Sequence, residues 1–134
     1  MRGISLLLLV GGLFAADALE DGLRAFSTGH YADAARLLRQ APASETRDLF
    51  VALADLGRGG CDAAVARSLG GQLARVTEAR LKRLAAIGLA QCQPAAEALV
   101  TLQAVEPDAD VLYQIARLHT RAFNEAVYTL YQKA

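Results

Sequence analysis

Residues 22 to 41 read GLRAFSTGHYADAARLLRQA. Leu19, Leu23 and Phe26 recur at steps of four and three, the spacing that gathers side chains on one face of a helix. Gly29 then interrupts the pattern, and Tyr31, Ala34, Ala35, Leu38 and Ala41 resume it. Two helical runs joined by a glycine predict a helical hairpin.

The same alternation continues outward. Ser44 is placed to cap a helix whose apolar stripe is Leu49, Phe50, Leu53 and Leu56, ending at Gly57. A further helix is expected from Cys61 to Leu69, closed by Gly70-Gly71. The run from Gln72 to Gln91 carries Leu73, Val76, Leu81, Leu84, Ile87 and Leu89, and after Pro94 the residues Ala98, Leu99 and Leu102 continue to Pro107. Beyond Asp108 there is no Gly or Pro, so Val111, Leu112, Ile115, Leu118, Phe123, Val127 and Leu130 are read as one continuous or kinked helix.

Composition agrees with an all-α class. Of 134 residues, 28 are Ala and 22 Leu, and the only prolines are Pro42, Pro94 and Pro107. Fourteen basic residues balance fourteen acidic ones, which gives no electrostatic basis for binding nucleic acid.

The first residues have the three parts of a secretory signal: Arg2, an apolar run from Ile4 to Ala16, and the small-residue site Ala16-Asp17-Ala18. The run is shorter than the roughly 20 residues needed to span a bilayer as a helix. Cleavage after Ala18 and export to the periplasm or medium are therefore expected, with membrane attachment only if the signal stays uncleaved. The expected organisation is a signal peptide at 1–18 and a helical domain at 19–134, with units at 19–42, 44–70, 72–105 and 108–134.

Gly22, Gly29, Tyr31, Ala34, Leu38 and Ala41 follow the order small, turn glycine, aromatic, alanine, large apolar, alanine. In this the first unit resembles the tetratricopeptide repeat family. Later units match less fully: Gly57, Ala64 and Leu69 in the second, with Gly59-Gly60 read as an insertion, then Ala98, Leu102 and Pro107 in the third, and Phe123, Ala126 and Leu130 in the fourth. The resemblance implies a right-handed solenoid of about 3.5 to 4 helix pairs, each burying its apolar face against its neighbours. It also implies packing roles for Gly22, Gly29, Tyr31, Ala34, Leu38, Ala64, Ala98 and Pro107. The function it implies is that of a scaffold binding a peptide or protein on a concave face, where Leu23, Phe26 and Leu53 are the candidate contacts. An accessory or regulatory domain of a larger envelope enzyme is the alternative. The chain has no C-cap glycine and no polar closing helix at its end, so further repeats are expected to follow.

Cys61 and Cys92, the only cysteines, lie 31 residues apart. An even count, the expected export and the stacking of successive units together predict a disulfide; two buried thiols acting as small apolar groups are the alternative. The histidines, His30 and His119, have no nucleophile, base or metal-ligand spacing around them, and no phosphate-binding glycine loop follows a strand. No catalytic residue, metal, cofactor or small-molecule substrate is expected. Arg75, Arg80, Lys82 and Arg83 spread around a helix and are read as a solvated face. Tyr113, Tyr128 and Tyr131, with His119 and Phe123, are read as the bed for a following repeat.

Overall fold

The computed structural model describes residues 17–134. The expected signal segment lies outside the described residues except for Asp17 and Ala18. Seven helices and no strand are found among the described residues: α1 (17–27), α2 (Tyr31–Gln40), α3 (Glu45–Gly59), α4 (Ala63–Arg75), α5 (Ala79–Ala90), α6 (Ala95–Gln103) and α7 (Ala109–Lys133). The class is all-α. The chain divides into two compact units, Met1–Ser68 and Leu69–Ala134, with the division inside α4.

In the first unit, α1 ends in a reversal built on Gly29, whose φ of 81° is strained for any residue with a Cβ. His30 N–H donates to Ala25 O at 2.9 Å and Gly29 N–H to Phe26 O at 3.1 Å, which satisfies the last carbonyls of α1 in a Schellman closure. The chain returns as α2, and the two helices cross at Gly22. A Cβ there would stand 2.7 Å from Leu38 Cγ, so only glycine leaves space for that side chain. Leu38, Ala34, Ala35 and Ala54 are fully buried, and Leu19, Leu23, Phe26, Phe50 and Val51 pack against them.

The connection from α2 to α3 is held by polar contacts. Ser44 accepts the Arg47 N–H at 3.1 Å as N-cap of α3. Arg47 itself reaches back, donating from Nε to Leu38 O at 3.1 Å and from a terminal nitrogen to Arg39 O at 3.3 Å. A cation thus covers the carbonyl end of α2, where the helix dipole favours it. Arg39 meets the Asp55 carboxylate of α3 at 2.9 Å.

α3 extends past Gly57 to Gly59, and Gly60 (φ 75°) makes the turn instead, its N–H bound to Leu56 O at 2.8 Å. Gly59 therefore belongs to the helix and is not part of an inserted loop. Gly57 has a different role: a Cβ there would lie 2.7 Å from the Tyr31 ring, so the glycine forms the surface on which that ring lies.

α4 corrects two further expectations. It runs through Gly70-Gly71 to Arg75, and the break falls at 76–78. Glycine in a helix interior costs only about 1 kcal/mol relative to alanine. Burying Leu69 and Val76 offsets this, at about 1.5–3 kcal/mol per large aliphatic side chain. Consequently Gln72 lies within α4, and the next helix starts at Ala79. Ala64, expected to pack, is exposed; Val65 and Leu69 are the buried residues. Asp62 Oδ1 accepts the Val65 N–H at 2.8 Å and fixes the start of the helix, and Ala64 falls about 100° from Val65 around its axis.

In the second unit, Ala86, Ala90, Ala98, Leu102 and Val111 form the core, with Leu73, Ile87, Val105, Ile115 and Leu118 against them. Alanines on α5 and α6 let these helices approach closely. Pro107 is exposed in the turn before α7. Asp108 caps α7, accepting the Val111 N–H at 2.8 Å. α7 then continues for 25 residues without a break.

Candidate interaction surfaces

The residues nominated from the sequence divide into core and surface. Phe26 packs edge-on against Tyr31 (5.4 Å between centroids) and Phe50 (5.0 Å), an arrangement aromatic rings favour. It and Leu23 are half-buried, so both serve the first unit's core while part of each side chain stays at the surface. Leu53, on α3, is half-buried as well. Ala34, Leu38 and Ala98 are fully buried.

Cys61 and Cys92 are both disulfide-bonded, and because the chain has no other cysteine they are bonded to each other. Neither is a thiol available for nucleophilic chemistry. His30 Nδ1 lies 2.8 Å from Thr28 Oγ1 in the α1–α2 turn, and His119 is exposed on α7. No group of three His, Cys, Asp or Glu side chains that could hold a metal occurs among the described residues. No helix among them is long and apolar enough to cross a membrane.

Arg83 departs from the solvated face expected of it together with Arg75, Arg80 and Lys82. Its Nε lies 3.0 Å from Asp108 Oδ2, a second contact reaches Glu106 at 3.8 Å, and only 21% of the side chain is exposed. The carboxylate is off the N–H axis, so the approach is an ion pair and not a hydrogen bond. Asp108 thus serves at once as N-cap of α7 and as counter-ion to α5. Sequence reasoning missed this pair because nothing in the spacing of Arg83 and Asp108 links them; the only signal was an Asp ahead of a helical run.

Two concavities in the second unit involve α7. One, of about 260 Å³, has Ile87, Ala90, Leu102 and Leu118 as its apolar walls and Arg117 and Arg121 at its edge. The other is a shallow groove beside Tyr113, Ala116, Thr120 and Asn124. Arg117 lies over the Tyr113 ring at 6.0 Å, and Arg121 pairs with Glu125 at 3.0 Å.

The outer surface carries large apolar side chains. Val100, Leu112, Phe123 and Leu130 are each more than half exposed, as are Tyr113, Tyr128 and Tyr131. All but Val100 are on α7. No family model, curated protein or solved structure matches the chain.

Proposed function

We propose that this chain is an exported interaction scaffold, built of tetratricopeptide-like helix pairs, that binds a peptide or protein partner and performs no chemistry of its own. The observation that carries the reading is the division of its apolar residues. Small side chains fill the helix crossings at Gly22, Ala34 and Ala98, while large ones, among them Leu112, Phe123, Leu130 and Tyr131, remain outside. Contiguous exposed apolar surface is the usual mark of a binding face. The Cys61–Cys92 bond is compatible with export, since disulfides persist in oxidising compartments.

The partner is proposed to lie on the concave face, where Leu53 has the least part in the core of the three nominated side chains. Capture from the cell envelope, with the oxidised chain as bait, tests this. One specific protein should be retained by the native sequence and lost with Leu53→Glu. Equal recovery by both would contradict binding at this face.

A further inference from the structure

We infer that α7 is a self-association helix that pairs antiparallel with α7 of a second copy of this chain. Leu112, Ala116, His119, Phe123, Ala126 and Leu130 follow one another at steps of four, three, four, three and four. That is the heptad spacing of a coiled-coil seam. All six are exposed. The seam lies about 100° around the helix from buried Val111, so the core of the second unit does not occupy it.

Charge placement follows the same division. The positions beside the seam are Tyr113, Ile115, Thr120, Ala122, Val127 and Thr129, none of which is charged. Asp110, Arg117, Arg121 and Glu125 fall on the opposite side, and Lys133, three residues beyond Leu130, ends the apolar run of the seam. From Leu112 to Leu130 the strip and both its flanks are therefore free of charge, so covering it with a second apolar helix face desolvates no ion.

The order of side chains identifies the occupant. Read in either direction, the seam is leucine, alanine, ring, ring, alanine, leucine. A two-fold axis through the seam midway between His119 and Phe123 sets Leu112 opposite Leu130 of the second copy, Ala116 opposite Ala126, and His119 opposite Phe123. Every contact is then returned by its mirror contact, which is the condition for a closed two-fold interface. Each layer pairs side chains of similar size, and the two alanine layers allow close approach of the helices. A parallel pair would instead place each residue against itself, with His119 stacked on His119.

Sedimentation and light scattering of the oxidised chain test the pairing. The expected result is a monomer–dimer equilibrium, with a dimer at high concentration that Phe123→Glu converts to monomer. Phe123 is exposed, so the circular dichroism of that variant should be unchanged, which separates loss of pairing from loss of folding. Orientation is read by cross-linking. Leu112→Cys and Leu130→Cys should each fail to cross-link alone, because like positions would be about 27 Å apart in the antiparallel pair. Mixed together, they should give a covalent dimer. A monomer at every concentration, a dimer that survives Phe123→Glu, or Leu112→Cys bonding to itself would overturn the proposal.

Discussion

Gly22 and Leu38 are in such close contact that the crossing of α1 and α2 has no room for a single added carbon: a Cβ on Gly22 would lie 2.7 Å from Leu38 Cγ and 3.2 Å from Leu38 N. Leu38 is fully buried and its backbone is held in α2, so it cannot retreat. Helix propensity favours alanine by about 1 kcal/mol, but overpacking a well-filled core costs about 1–3 kcal/mol. Gly22→Ala is expected to destabilise the chain by up to about 2 kcal/mol, measured as a lower urea midpoint at unchanged slope.

Gly70 gives the opposite expectation from the same chemistry. It sits inside α4, and a Cβ there would meet nothing within 4 Å. Gly70→Ala should therefore gain up to about 1 kcal/mol from helix propensity alone. A loss of stability in the same urea titration would mean that α4 does not run through this position.

These two glycines also show how far the sequence could be read. Gly29 and Gly22 were legible because each stands in a run where apolar spacing stops or small size recurs. Gly70-Gly71 looked like a helix end for the same reason, and was not one. The deciding quantity was the burial of Leu69 and Val76, which a local pattern does not contain. The phase of α4 was hidden in the same way, since the Asp62 cap, and not the alanine pattern, selects Val65 over Ala64. Ser44 and the uninterrupted run after Asp108 were plain in the sequence, whereas the ion pair that Asp108 makes with Arg83 was not.

Asp108 combines two roles that substitutions can separate. Asp108→Ala removes both the cap on Val111 N–H and the charge opposite Arg83, and should cost about 1–2 kcal/mol. Asp108→Asn keeps a capping oxygen and loses only the charge, so its loss should be about 1 kcal/mol or less, the scale of a partly exposed ion pair. Thermal melts of the two variants in matched buffer check the order; equal losses would mean that the capping bond contributes nothing separable.

The Cys61–Cys92 bond closes a loop that contains α4 and α5, and loop-closure entropy puts its contribution at about 3–4 kcal/mol. Replacing both cysteines by serine should lower stability by that order while the far-ultraviolet spectrum stays helical. The native chain, unfolded without reductant, should present no thiol to a maleimide probe. Two reacting thiols would contradict the bond.

The account rests most heavily on Leu53 facing a partner in the compartment where the chain works. A photo-activated cross-linking residue placed at position 53 in living cells tests that directly. The expected result is a covalent adduct with one other envelope or secreted protein, absent when the same residue is placed at exposed Arg67. No adduct from position 53, or the same adducts from both positions, would contradict a binding face there.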